Sequence, residues 1–169
     1  MSYIIVCPLE NISSAAEAHG CKDMISLMSP GHEFNRPTQI KKDRHLLISM
    51  NDVNIETDDL ITPGETHVQN LIDFVKTWDQ EHPLLIHCWF GVSRSPAAAI
   101  ISSLVLNPEQ NDQDLANRLR AASPSATPNR KIVEIGDKLL NRQGKLVSAV
   151  NYIGRGREAS NGDNFVLEL

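Results

Sequence analysis

Apolar and polar positions follow two rhythms along this 169-residue chain. Short, nearly continuous apolar runs read as strands, and longer stretches with apolar positions three and four apart read as helices. Tyr3 to Pro8 (YIIVCP), Met24 to Met28 (MISLM), His45 to Met50 (HLLISM) and Pro83 to His87 (PLLIH) are the strand candidates. A helix is predicted between the first two, opening near Ser13 or Ser14 and stopping before Gly20. Thr62 as N-cap, Pro63 in the first turn and Glu65 as capping-box acid predict a second helix, with Val68, Leu71, Ile72, Val75 and Trp78 as its core stripe. Ser95 to Leu106 is apolar enough to lie buried against a sheet. Two more helices are predicted: Asp112 to Ala122, with Leu115 and Leu119 inward, and one opening at Thr127 and Pro128 that carries Ile132, Val133, Ile135 and Leu139. This alternation predicts an α/β fold: one domain with a central, mostly parallel sheet of four to five strands flanked by helices. From Asn141 the chain is richer in Gly, Asn and Arg and ends in FVLEL. Residues 141–169 are expected to be an extension packed on or appended to a domain of residues 1–140, its last five residues an extra strand.

Composition narrows the possible functions. With 41% apolar residues the chain can bury one sizeable core, and a second domain of ordinary size does not fit. Sixteen basic against 21 acidic residues leave a net charge of −5, which argues against electrostatic binding to nucleic acid or to an anionic membrane. The longest nearly apolar stretch, Pro96 to Leu106, falls well short of the roughly 20 residues that span a bilayer. The opening MSYIIVCPLE lacks the basic and apolar regions of a secretory signal, so a cytoplasmic location is expected. Cys7, Cys21 and Cys88 include no CxxC pair, and the six histidines form no HxxxH or HExxH pair. Neither a disulfide framework nor a metal site is expected, and no cofactor.

The chemistry concentrates between the fourth strand and the apolar helix, in His87-Cys88-Trp89-Phe90-Gly91-Val92-Ser93-Arg94-Ser95. This fits H-C-x-x-G-x-x-R-S/T, and five specified positions match by chance with a frequency on the order of 10⁻⁴ or less. A loop of this length, turning at Gly91 into a helix N-terminus, can wrap the backbone amides of Trp89, Phe90, Gly91, Val92, Ser93 and Arg94 around one tetrahedral oxyanion. The same field favours a thiolate at the floor of the cradle, so Cys88 is the expected nucleophile. Arg94 suits two phosphate oxygens with its planar fork. Ser95 can donate a hydrogen bond to the cysteine sulfur and help it leave, and His87 is expected to orient the loop through backbone groups.

The loop resembles the signature of the cysteine-dependent protein tyrosine phosphatases, and chain length and element order resemble their compact dual-specificity branch, of a bacterial type. The resemblance covers roughly residues 1 to 140. It extends to an aspartate after the third strand (Asp52), the long helix before the signature strand, and the Pro128-Asn129 pair. It implies a two-step, metal-independent mechanism through a phosphocysteine, a phosphorylated protein as substrate, and inhibition by phosphate or vanadate. Carried over to this chain, Cys88 is the nucleophile, Arg94 the phosphate binder, Ser95 the helper of the second step and Asp52 the general acid. Asp58 and Asp59 lie in the same loop as Asp52 and could substitute.

Plainer readings stand beside these. Cys7 and Cys21 read as small core residues, and a Cys7–Cys88 disulfide has no sequence warrant. Trp89 and Phe90 serve either as packing residues or at the pocket mouth. Lys41, Lys42 and Arg44 read as a solvated loop face, with an attractor for anionic substrate as the alternative, and Arg155 and Arg157 as part of a flexible exposed segment. Two other functions compete with a phosphatase. A rhodanese-like sulfurtransferase also uses a loop cysteine under backbone amides, but Gly91, Arg94-Ser95 and a separate aspartate favour phosphate chemistry. A pseudophosphatase that only reads phosphorylated partners would generally lack one of Cys88, Arg94 and Asp52. The oligomeric state is open.

Overall fold

The computed structural model describes residues 2–169. The apolar runs pair into one five-stranded sheet: β1 (Tyr3–Pro8), β2 (Asp23–Met28), β3 (His45–Ser49), β4 (Leu84–Cys88) and β5 (Phe165–Glu168), in the order β3-β2-β4-β1-β5. The first four are mutually parallel, and β5 adds antiparallel to the edge of β1. The sheet is therefore mostly parallel, as the alternation of elements predicts. Both faces are covered, which is why these strands read as apolar runs and not as alternating ones.

The covering is unequal. Helix α1 (Ile12–His19) packs on one face over Ile5, Cys7, Met24 and Leu85. On the other face lie α2 (Glu65–Lys76), α3 (Arg94–Leu106), α4 (Asp112–Ala122), α5 (Arg130–Leu139) and α6 (Lys145–Ile153) around the larger core, with α3 buried along most of its length. Gly136 of α5 crosses α3 so closely that a Cβ there would stand 2.5 Å from Ile101 Cδ1. No helix of the described residues is long and apolar enough to cross a membrane.

Four sequence expectations need correction. Helix α2 opens at Glu65 with Gly64 as N-cap, two residues later than the Thr62 cap implies, and the free Gly64 N–H is taken by His67 Nδ1 at 3.0 Å. Trp78 lies beyond the end of that helix, although its ring is buried and its Nε1–H donates to His82 O. Helix α5 likewise starts at Arg130, capped by Asn129, whose Oδ1 accepts from the Ile132 amide at 3.0 Å. Helix α6 was not expected at all. Its cap comes from another element: the Asp137 carboxylate of α5 accepts from the amides of Gly144, Leu146 and Val147. With that end satisfied, Leu146, Ala149 and Val150 are buried in the domain core or against it.

Candidate active site

The carboxyl ends of the four parallel strands meet at one place, where loops of open α/β sheets gather their chemistry. Leu9 follows β1, Ser29 follows β2, Met50 and Asp52 follow β3, and the loop from Cys88 to Arg94 follows β4 at the centre of the sheet. Gly91 makes the turn with φ of 71°, and a Cβ there would stand 2.9 Å from Pro8 N, so only glycine lets the loop lie this close to β1.

The loop is held from outside through its carbonyls. Cys88 O accepts from His87 Nδ1 at 3.2 Å, Trp89 O from the Leu9 amide at 3.1 Å, and Phe90 O from the Gly162 amide at 2.8 Å. Val92 O accepts from the Thr127 amide at 2.8 Å and Ser93 O from the Asn129 amide at 3.1 Å. A planar trans peptide points each N–H opposite to the carbonyl before it. Five outward carbonyls therefore turn the amides of Trp89, Phe90, Gly91, Ser93 and Arg94 toward the concave side. The amides from Trp89 to Ser93 donate to no backbone acceptor among the described residues. Ser93, the N-cap of α3, does not cap it with its side chain, which leaves the helix N-terminus open to an anion.

Side chains complete the cradle. Cys88 lies at its floor, 2% exposed, with Sγ 3.1 Å from Ser95 Oγ. Arg94 is 4% exposed; its Nη1 donates to Met50 O at 2.8 Å and to Ser29 Oγ at 3.2 Å, while its buried Nε has no partner among the described residues. A guanidinium clamped at one nitrogen with Nε unsatisfied is set to take an oxyanion. Asp52 Oδ1 accepts from Ser93 Oγ at 2.7 Å and from Asn129 Nδ2 at 2.8 Å, which fixes the carboxyl beside the loop and leaves Oδ2 without a protein partner among the described residues. Asp58 and Asp59 are exposed and hydrogen-bond to no part of the loop. Trp89 and Phe90 are 37% and 51% exposed, and Trp89 stands edge-on to His32 with ring centroids 4.7 Å apart. They form an aromatic rim.

The other residues that the sequence singles out have surroundings of their own. Lys41, Lys42 and Arg44 lie just before β3, at the opposite end of the sheet from the cradle, where Arg44 pairs with Asp23. The segment with Arg155 and Arg157 is not loose: Gly156 N–H donates to Thr127 Oγ1, Arg157 N–H to Pro124 O and Gly162 N–H to Phe90 O, while both arginine side chains stay exposed. Cys7 lies on the sheet face opposite Cys88, because its register partner is His87. Burial, with Cys88 as a lesser cause, pushes the Cys7 thiol up to about 12, and burial does the same to Cys21. Leu9, Ser29, Thr127 and Gly162 were missed as parts of the site. Only Asn129 had a sequence signal, the Pro-Asn pair, and there the amide side chain does two jobs at once.

No protein-family model matches the sequence, and no curated protein matches it. Solved structures do match in fold. A human tyrosine phosphatase-like serine/threonine/tyrosine-interacting protein superposes with a TM-score of 0.64 at 15% identity, over 84% of this chain and 97% of that one. Human DUSP28 gives 0.62 at 13% identity over 82% and 91%. A mouse putative dual specificity phosphatase complexed with zinc tungstate gives 0.60 at 16% identity over 85% and 84%. The fold is that of the compact dual-specificity phosphatases.

Proposed function

We propose that the protein hydrolyses phosphomonoesters, phosphotyrosine in proteins above all, through a phosphocysteine at Cys88. The observation that carries this reading is the buried Arg94 Nε, without a partner among the described residues, in the same loop as a turn of free amides that follows Cys88. Together they offer a pocket for a dianionic tetrahedral group and a nucleophile in line with it. Cys88 Sγ attacks phosphorus and the bond to the leaving oxygen breaks. Asp52, held by Oδ1, gives a proton from Oδ2 to that oxygen. Water then attacks the thiophosphate, its proton passes to the Asp52 carboxylate, and the S–P bond breaks while Ser95 donates a hydrogen bond to the departing sulfur.

Fold likeness does not by itself select turnover, since one neighbour bears the name phosphatase-like. The joint presence of Cys88, Arg94 and Asp52 supports catalysis over simple binding. The mouse neighbour's tungstate is a tetrahedral oxyanion, which supports a phosphate-shaped pocket here. The aromatic rim of Trp89 and Phe90, with no lysine in the loop, supports an aryl phosphate. The deciding experiment is hydrolysis of p-nitrophenyl phosphate. Vanadate-sensitive turnover that Cys88→Ser abolishes is expected. Phosphate binding without turnover would make the protein a reader of phosphorylated partners, and sulfur transfer from thiosulfate to cyanide would make it a sulfurtransferase.

A further inference from the structure

Behind the cradle, on the α1 face of the sheet, a buried polar chain crosses three strands. Ser26 of β2 stands opposite His87 of β4 in register, with Ser26 Oγ 2.6 Å from His87 Nε2. The same hydroxyl lies 2.8 Å from Nε2 of His45, at the start of β3. Ser26 and His87 are wholly buried, and His45 is half-buried. Phe34 covers both rings edge-on, its centroid 5.2 Å from His87 and 6.0 Å from His45.

Donor and acceptor counting leaves the neutral chain one arrangement. A carbonyl only accepts, so the 3.2 Å contact to Cys88 O makes His87 Nδ1 the donor. Neutral His87 then carries a lone pair on Nε2, which the Ser26 hydroxyl must supply with its proton. The Ser26 oxygen in turn accepts from His45 Nε2–H. Burial pushes both histidines down to about 4, against the opposing hydrogen bond to Cys88 O at His87. The charges facing them act in the same direction as burial: Arg94 and His45 toward His87, and Arg36 toward His45. Cys7 of β1 is the register partner of His87 on the far side.

We propose that Ser26 and His45 are positioning residues of the active site, which lock His87 in the Nδ1–H tautomer and so hold the Cys88 carbonyl outward and the Trp89 amide toward the cradle. If Ser26 cannot donate, His87 Nε2 is left as an unsatisfied buried acceptor, and the alternative Nε2–H tautomer would lose the Cys88 carbonyl. The carbonyl could then turn inward and set its negative end against the sulfur and the bound anion. The effect on turnover rests on the phosphatase reading, whereas the tautomer and the reactivity of Cys88 do not.

The test uses the full chain labelled with ¹⁵N-histidine at pH 7. Long-range ¹H–¹⁵N correlation is expected to show His87 protonated at Nδ1 alone and His45 at Nε2 alone. His87 protonated at Nε2, or at both nitrogens, would overturn the proposal. In Ser26→Ala and His45→Leu, alkylation of Cys88 by iodoacetate at pH 6.5 should slow about tenfold, the rate equivalent of one net hydrogen bond. His45→Gln keeps an N–H of similar reach and should restore the rate. Equal rates in His45→Leu and His45→Gln would also overturn it. If the tautomer and alkylation results hold but no aryl phosphate is hydrolysed, the functional reading fails and the positioning role stands.

Discussion

Cys7, Cys21 and Cys88 present two kinds of surroundings to a thiol reagent. Burial holds the Cys7 and Cys21 thiols near 12, so they stay protonated at neutral pH, while Cys88 faces free amides and the Arg94 charge. Iodoacetate at pH 6 to 7 should therefore label Cys88 far ahead of the other two, with phosphate or vanadate protecting it. Equal labelling, followed by peptide mass mapping, would remove Cys88 from the role of nucleophile. Asp52 carries the second prediction at this scale. Asp52→Asn keeps the bonds from Ser93 and Asn129 but cannot give up a carboxyl proton. Its kcat on phosphotyrosine peptides should fall by roughly 10² to 10⁴ and on p-nitrophenyl phosphate by less, because a good leaving group needs no acid. Asp58→Asn, in an exposed turn without contact to the loop, should leave both rates unchanged.

Among the elements, the C-terminal segment is the one whose position most changes the account of the site. Beyond α6 it runs past the loop before α5, donates Gly162 N–H to Phe90 O, and returns to the sheet as β5. At Gly162 a Cβ would stand 3.1 Å from Gly91 O, 3.2 Å from Phe90 O and 3.3 Å from Val92 Cγ2. Two of these three atoms belong to the cradle's backbone, so they can give way only by moving the loop. Gly162→Ala should lower kcat/KM on an aryl phosphate by about tenfold or more, with little loss of thermal stability. A stability loss with unchanged kinetics would show the segment to be packing only. Asn129 links two elements in the same manner, capping α5 through Oδ1 and holding Asp52 through Nδ2. This explains why α5 begins after Asn129 and not at Pro128.

At the scale of the molecule, the two ends of the sheet differ in chemistry. The carboxyl end holds the cradle and its aromatic rim, and the basic segment Lys41 to Arg44 sits at the other end. Multiply phosphorylated headgroups therefore find no second cationic wall from that segment. Phosphotyrosine peptides should show higher kcat/KM than phosphoserine peptides or phosphoinositides at one ionic strength, and a tenfold preference for a phosphoinositide would reverse the assignment. Stability should also depend on pH through the buried histidine pair. His87 is pushed down from an ordinary 6.5 to about 4, chiefly by burial, so the folded protein takes up its proton later than the unfolded chain. The stabilisation is present above pH 6.5 and is lost as pH falls toward 4, at up to about 1.4 kcal/mol per pH unit for His87. His45 acts in the same direction, so His45→Gln should make the denaturation midpoint less steep in pH over that window.

Local spacing was enough to read the order of strands and helices through α5, the α/β class, the added last strand, and a loop that brings Cys88, Gly91, Arg94 and Ser95 together. Each of these rests on residues within a few positions of one another, where backbone geometry leaves few alternatives. Helix α6 escaped because its cap is Asp137 of another helix and its ends are Gly144 and Gly154, in a stretch whose Gly, Asn and Arg content reads as a tail. The outward ties of the loop from Leu9 and Thr127 are backbone amides that any residue but proline could supply, so no residue type marks them. Ser26 and His45 likewise look ordinary in their strands. Only the pairing order β3-β2-β4 brings them to His87, because strand register is settled by the packing of the whole sheet and not by any one run of residues.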